Sequence, residues 1–547
     1  MKTKLIQILS LLLFASLCSC KDFLEEVPRN STHVGEFWQS ADDVSSAVAG
    51  NYALLRDAVT SGNASNVPRY YLYGDGVPAS YFEIQYSGDG LEGVQTGDFT
   101  WRYTIESYGD WTKYYKAIAM SNLILEKVSA MDVESFTQVN NPMRFKNEAL
   151  GQAYFIRALC YFMLTRVWGD VPLVLHSEED PIGAQQLGRR PKSEILSQVE
   201  GDCHRAAGLL DWSYSSQGAA KVTANKGAVY ALLAHMYLWR ATTTELASAE
   251  PIMSDVNSAD STIAAIKSFG GYAQVDTANY YRTFIGKSSD GIFEIAASEE
   301  HLEGSSTHIG MFFLREAHVP FYSATYSRFF VKPTYLSQHY KPMPTGPEDW
   351  VWVDGHWWWN EPAWRWDWIE GQWVLQQVMN DRVTDVRYLK NFTDLGGSQP
   401  TCIKYHNVVP ITQNSVRLSN NLIIFRYSDM LLLEAEIALY KNNLQKAADI
   451  INGFRERNDP YAKWSPIDWT TTTKDNLMYE YVIERGRELY LEGHNYYDLI
   501  RTRQYPQFIT WLSPARFVQG GFYWPVSPNL FKNNPNLTQT SYWIGKI

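Results

Sequence analysis

At 547 residues the chain can hold one large domain or several ordinary ones. Its 45% hydrophobic and 20% charged residues are those of a folded globular protein. A formal net charge of −11 excludes a nucleic-acid footprint, which needs a basic surface. The outlier is aromatic content, 20 Trp and 35 Tyr.

The N-terminus runs Met-Lys-Thr-Lys and then almost wholly apolar from Leu5 to Leu17. A basic start and a short apolar core make a secretory signal, too short for a membrane span. Leu17-Cys18-Ser19-Cys20 resembles a bacterial lipobox, whose last Cys becomes the acylated first residue of the mature chain. Cys20 is therefore expected to anchor the protein without spanning the bilayer, and Lys21-Asp22 resembles a surface-export signal. Beyond these, Cys160, Cys203 and Cys402 are odd in number and match no zinc spacing. Cys160 and Cys203 fall in helical patterns and read as small buried residues.

Helical periodicity begins at Asp42 to Ala58. From about Val59 to Asp110 it dissolves into Gly, Pro, Ser and aromatics. That stretch holds Tyr70, Tyr71, Tyr73, Tyr81 and Tyr86 around Asp75, and leads to Trp101. Helices are expected over Thr112 to Val128, Glu148 to Val167 (closed by Gly169), Lys192 to Leu210 and Asn225 to Arg240, with apolar residues at spacings of three and four. From about Ala241 to Ile424 the pattern dissolves again. Long excursions of this kind usually carry function. Helical stripes return at Met430 to Tyr440, Leu444 to Phe454 and about Asp475 to Glu492, the last stopped by Gly493. Successive helices of this length predict a mainly α, tetratricopeptide-like scaffold with an irregular, hairpin-rich ligand-binding part.

The second excursion contains nine of the 20 tryptophans between Trp350 and Trp373, where an even spread would put about one. Trp352-Val-Asp-Gly-His-Trp357 is echoed by Trp368-Ile-Glu-Gly-Gln-Trp373. Asp354-Gly355 is a strong two-residue hairpin turn and Glu370-Gly371 a weaker one. The first turn sets Trp352 opposite Trp357 and Trp350 opposite Trp359, four indoles on one face, with Val351 and Trp358 on the other. In the second hairpin Trp366, Trp368 and Trp373 share a face. Flat indoles suit the C–H face of a pyranose. Two other uses stay open: cross-strand aromatic pairs stabilise hairpins, and aromatics are enriched in protein interfaces.

Catalytic patterns are weak. Gly88-Asp-Gly90-Leu-Glu-Gly93 matches a dinucleotide fingerprint, but Val94 to Tyr103 does not read as its helix, so the segment is expected to be a loop. The 11 His show no metal spacing. A glycosidase needs two facing carboxylates. Of the acids near the tryptophans (Asp349, Asp354, Glu361, Asp367, Glu370), Asp354 and Glu370 are turn residues and Asp367 points away from the indole face.

Seven segments in order carry a family likeness: Trp111–Asn122 (WTKYYKAIAMSN), Glu148–Val174 (EALGQAYFIRALCYFMLTRVWGDVPLV), Val222–Tyr237 (VTANKGAVYALLAHMY), Ile423–Glu436 (IIFRYSDMLLLEAE), Ile451–Arg457 (INGFRER), Glu484–Arg501 (ERGRELYLEGHNYYDLIR) and Asn534–Tyr542 (NPNLTQTSY). The chain thereby resembles the SusD/RagB family of outer-membrane nutrient-binding lipoproteins over essentially its whole length. The resemblance implies four tetratricopeptide-like helix pairs, no cofactor, and a TonB-dependent SusC-like transporter as partner. It also implies that loops before the Trp111-type helix contribute to the binding face, which brings in Trp101, Tyr81 and Asp75, with core packing as the alternative use of Trp101 and Tyr81. Phe321 and Tyr322 fall in another part that often lines the site.

The expected partition is 1–19 signal peptide, 20–41 lipidated tether, 42–270 N-terminal helical region with the aromatic loop 59–110 inserted, 271–425 irregular ligand-binding part with hairpins 350–377, and 426–547 C-terminal helical region. The expected function is capture of glycan at the cell surface and delivery to the transporter. Capture of peptide or another nutrient, in the RagB manner, is the alternative. A surface glycoside hydrolase is disfavoured for want of a carboxylate pair. If Cys20 carries the anchor, Cys20→Ala should move the protein from the membrane fraction to the soluble one; unchanged membrane association would place the anchor elsewhere.

Overall fold

The computed structural model describes residues 37–547 apart from 63–66, 76–80, 86–89, 137, 178–184, 215, 302, 305–307, 316–317, 320–326, 341–349, 354–355, 360–362, 370–371, 379–382, 396–398, 413–414 and 460–465. The signal segment, Cys20 and most of the tether lie outside the described residues, as do Tyr86, Phe321 and Tyr322.

Helix α1 (Ala41–Thr60) opens on a capping box in which Ser40 and Asp43 satisfy each other's backbone N–H groups. Short α2 (Arg69–Gly74), α3 (Leu91–Gln95) and α4 (Arg102–Tyr108) follow. Then come α5 (Thr112–Ala130), α6 (Pro142–Trp168), α7 (Lys192–Leu209), α8 (Lys226–Thr243) and α9 (Met253–Phe269). After the irregular part come α10 (Tyr427–Tyr440), α11 (Leu444–Asn458), α12 (Lys474–Glu488) and α13 (Asn495–Arg501), followed by short helices at Pro514–Val518 and Pro528–Asn533. From α5 each long helix packs on the next, and α9 packs on α10 although more than 150 residues separate them in sequence. This is the stacking of a helical-repeat scaffold, as the mainly α reading requires. Among the described residues no helix is long and apolar enough to cross a membrane. Cys160, Cys203 and Cys402 are free and buried.

Three expectations are corrected. The first is α9, which lies inside the stretch read as irregular; Val256, Ala259, Ile263 and Ile266 form a narrow buried stripe on an otherwise polar helix. The second is α6, which starts six residues early, at an Asn141 cap and Pro142, ahead of any apolar stripe. The third is α12, which stops at Glu488, not Glu492. Beyond it the carbonyls of Glu488, Tyr490 and Leu491 are taken by Arg426 Nη2 at 2.7 Å, Lys404 Nζ at 2.6 Å and the Tyr405 hydroxyl at 2.7 Å. Those donors draw the chain out of the helix, and Leu491 and Gly493 take positive φ, 55° and 79°. Gly493 also crosses Gly74 closely: a Cβ on Gly74 would lie 2.0 Å from Gly493 O.

The C-terminal half is built on buried ions. Arg426 reaches Asp290 and Glu488 at 2.9 Å and Glu492 at 2.6 Å. Arg387 binds Glu484 at 2.6 Å, Asp385 at 2.7 Å and Glu488 at 2.9 Å. Arg485 joins Asp429 (2.8 Å) to Asp498 (2.6 Å), and Arg501 joins Asp498 (2.8 Å) to Glu436 (2.7 Å). Burial alone would raise the Glu488 carboxyl, but Arg426 and Arg387 outweigh it and hold it at about 2. Its folded pKa is thus below the ordinary 4.5, so its contribution to stability is complete above 4.5 and fades as pH falls towards 2. Removing one partner leaves the others charged and buried. Arg426→Ala should therefore lower the unfolding free energy by about 3–5 kcal/mol in chemical denaturation; a loss under about 1 kcal/mol would show the network to be dispensable.

Candidate functional site

The two tryptophan-bearing hairpins form as the turn chemistry predicts. Strands Trp350–Val353 and His356–Trp359 pair antiparallel, with Trp350 opposite Trp359 and Trp352 opposite Trp357. Strands Ala363–Ile369 and Gln372–Val378 pair with Trp368 opposite Trp373 and Trp366 opposite Leu375. Both registers are those of two-residue turns at 354–355 and 370–371, residues outside the described ones. Asp349 and Glu361 also lie outside them. Val351 stands opposite Trp358, and Asp367 opposite Val374.

A second aromatic feature stands at the head of α4. Trp101 is 51% exposed and Tyr103 60% exposed. Sequence reasoning chose Trp101 and missed Tyr103, two residues on in the first turn of the helix that Trp101 caps. The helix is held from below. Arg69 donates to Ser107 O at 2.5 Å and to Asp110 O, and the Tyr73 hydroxyl donates to Tyr108 O at 2.6 Å. From the C-terminal side, Ser527 N–H donates to Gly109 O at 2.9 Å. Arg69 and Tyr73 belong to α2, so buried polar groups of that helix fix where the exposed rings stand. The indole of Trp101 lies against Gly90, where a Cβ would come within 2.0 Å of Cδ1. Gly90 itself has φ +77° and starts α3, so the segment read as a loop contains a single short helix.

The tyrosine cluster does something else. Tyr70, Tyr71 and Tyr73 are buried, and Tyr81, 3% exposed, packs at 4.9 Å from the Tyr335 ring and 5.2 Å from His339. Asp75 is fully buried, accepting from Gly493 N–H at 2.7 Å and Asn495 Nδ2 at 3.4 Å. Burial raises its carboxyl well above the usual range, only partly offset by the Gly493 bond. Of the two uses open to Tyr81, ligand contact and core packing, the structure shows the packing, and it buries Asp75 as well. Both are committed to the core, where Asp75 ties α2 to the turn after α12.

One cluster has metal-ligand composition. His235, Asp429 and His494 bring ligand atoms within 4.8 Å of one another. Yet His235 Nε2 bonds Asp429 directly at 2.6 Å, and Arg485 takes the other carboxylate oxygen at 2.8 Å. With its acid already neutralised by a guanidinium, the cluster is a closed packing node.

Trp101 and Tyr103 are thus the exposed rings at the head of α4. Rings of this kind bind flat C–H surfaces and leave hydroxyls to polar neighbours. If Gly90 seats Trp101, then Gly90→Ala should weaken glycan binding in the same sense as Trp101→Ala. The double variant should be no worse than the single ones in affinity electrophoresis; full additivity would separate the two residues.

Comparison with known proteins agrees with this architecture. A family described as "Starch-binding associating with outer membrane" matches residues 85–238, and the SusD family matches residues 350–543. SusD-like protein P38 of Formosa agariphila is 25% identical over 98% of both chains, and SusD-like protein P25 of the same organism is 25% identical over 89% of this chain and 88% of its own. Among solved structures, a SusD homolog from Bacteroides thetaiotaomicron superposes with TM-score 0.71 at 22% identity, covering 93% of this chain and 99% of its own. B. fragilis NanU gives TM-score 0.63 at 22% identity, covering 94% and 99%.

Proposed function

The chain belongs to the SusD/RagB family, and we propose that it captures glycan at the cell surface and hands it to a TonB-dependent SusC-like transporter. The family is one of outer-membrane, nutrient-binding accessory proteins. The observation that carries it is the tryptophan register: Trp350 opposite Trp359, Trp352 opposite Trp357 and Trp368 opposite Trp373. Opposed indoles within one pleat face supply a ring platform for a sugar chain. Trp101 and Tyr103 add exposed rings on a rigid mount. Peptide capture would rest on backbone pairing and charged pockets, and the aromatic density favours glycan over it. The proposed action is binding without turnover, since the sequence offers no convincing pair of facing carboxylates.

The test is a double change of Trp352 and Trp357 to Ala, read by affinity electrophoresis against a panel of polysaccharides. Retardation by the polysaccharide that holds the wild type should be lost, with thermal unfolding little changed because the helices carry the core. Trp358→Ala, expected to fall on the opposite face, should matter much less. Normal retardation with earlier unfolding would make the indoles structural. Normal retardation with loss of transporter co-purification would make them a partner surface.

A further inference from the structure

An open cleft of about 790 Å³ lies on the chain segment that leads into strand Gly291–Ile295. Its lining falls within residues 274–289, a run described without a gap, and includes Asp276, Asn279, Tyr281, Arg282, Ile285 and Lys287. Among the described residues, Trp101, Tyr103 and the hairpin strands take no part in it.

The run is a rigid mount. Asp276 caps the turn Thr277–Asn279, accepting from Asn279 N–H at 3.0 Å and from its Nδ2 at 2.8 Å. The single helical turn Arg282–Ile285 follows, and the strand base holds its carbonyls. Asn420 Nδ2 donates to Phe284 O at 2.7 Å, and Asn421 N–H donates to Ile285 O at 3.3 Å. From the other side Lys390 Nζ donates to Thr277 O at 2.7 Å and Ala278 O at 3.0 Å, and Arg457 donates to Val275 O. Thr283 and Phe284 are buried beneath, which leaves Tyr281 47% and Ile285 41% exposed.

Although the chain carries a net charge of −11, this cleft is not acidic. The charged residues of its lining are Asp276, Arg282 and Lys287. Asp276 is offset by Lys390 behind it. Lys287 Nζ donates to Gly218 O at 2.8 Å, and its N–H donates to the buried Glu294 at 2.8 Å. Lys221 and Lys287 together favour the ionised form of Glu294. Asp290, next along the chain, is taken by Arg426, and Arg457 adds its charge to that same network through Glu488. Every acid near the cleft is thus accounted for, and Arg282 is left over. It is exposed, and with the described residues it forms no ion pair and donates no hydrogen bond. A guanidinium is a planar fork of donors shaped for an oxyanion. Beside it, the Tyr281 ring suits the C–H face of a sugar.

We infer that this cleft binds an acidic sugar residue, with its carboxylate or sulfate on Arg282 and its ring on Tyr281. The sugar rests on the glycan reading above, whereas the acid rests on Arg282.

Isothermal titration of the full chain with glucose and galactose, their uronic acids and their 6-sulfates tests it. At low salt at least one acidic sugar should bind roughly tenfold tighter than its neutral parent, the scale of one charge-assisted hydrogen bond. A preference for the uronic acid alone names the carboxylate, and one for the 6-sulfate alone names the sulfate; either supports the inference. Raising salt from about 0.01 to about 1 M cuts the screening length from about 30 to about 3 Å and should remove most of that gain. Arg282→Gln should abolish the preference, and the fold should hold because the side chain is exposed and unbonded. Tyr281→Ala should weaken binding of the acidic sugar as well. The Trp352/Trp357 double variant should keep the preference. The inference is overturned if no acidic sugar binds more tightly than its parent, or if Arg282→Gln retains the preference. Loss of the preference in the tryptophan variant also overturns it, since the acid would then be read at the hairpins. The glycan reading fails separately, by a wild-type chain that no polysaccharide gel, neutral or acidic, retards.

Discussion

Arg426 is the residue on which the rest of the C-terminal structure depends. Its guanidinium is buried and meets Asp290, Glu488 and Glu492 together, while Nη2 also holds Glu488 O. Those partners come from three places in the chain: the start of strand Gly291–Ile295, the last residue of α12 and the turn beyond it. Such an ion is costly to bury, and a buried network can be no more stabilising than an apolar core. What it supplies is register, because one planar fork can satisfy four fixed acceptors in only one arrangement. Arg387, Arg485 and Arg501 repeat the device along α10, α12 and α13.

This explains which parts of the sequence carried the family likeness. In IIFRYSDMLLLEAE the polar residues Arg426, Asp429 and Glu436 are network members, and in ERGRELYLEGHNYYDLIR so are Glu484, Arg485, Glu488, Glu492, Asp498 and Arg501. The N-terminal half has a smaller counterpart. Arg157 grips Asp202 with two bonds of 2.7 and 2.8 Å and Asn122 with a third of 2.7 Å, and Asn122 Nδ2 reaches Val174 O at 3.1 Å. Charged residues inside an apolar helical stripe are the legible trace of such nodes, although their partners are not legible.

The long helices were readable because their buried faces repeat at three and four residues. Tryptophan pairing was readable because Asp-Gly fixes a two-residue turn and hence every register position beyond it. What escaped was tertiary. Nothing local says that Lys404 and Tyr405, some 80 residues upstream, would unwind the chain after Glu488 by claiming its carbonyls. Nor could composition tell the buried Tyr70, Tyr71, Tyr73 and Tyr81 from the exposed Trp101 and Tyr103; both groups are aromatic runs rich in glycine, and only packing against Gly493, Tyr335 and Trp168 separates them.

The way the irregular part is attached bears on recognition. It leaves through strand Gly291–Ile295 and returns through strand Leu422–Arg426, and these two pair antiparallel. The junction is clamped: Asp290 binds Arg426 and accepts from Ser428 N–H at 2.8 Å, and Glu294 accepts from Asn421 Nδ2 at 2.8 Å. α9 packs directly on α10 across this base, so the helical stack is continuous there. The entropy of closing an insert grows only slowly with its length. The insert can therefore be large, while the scaffold draws on it at a few points only, such as Arg387 on Glu484 and Glu488, and Lys404 and Tyr405 on the carbonyls after α12. A clamp of few residues is consistent with a fold shared over 93% of this chain with a protein only 22% identical.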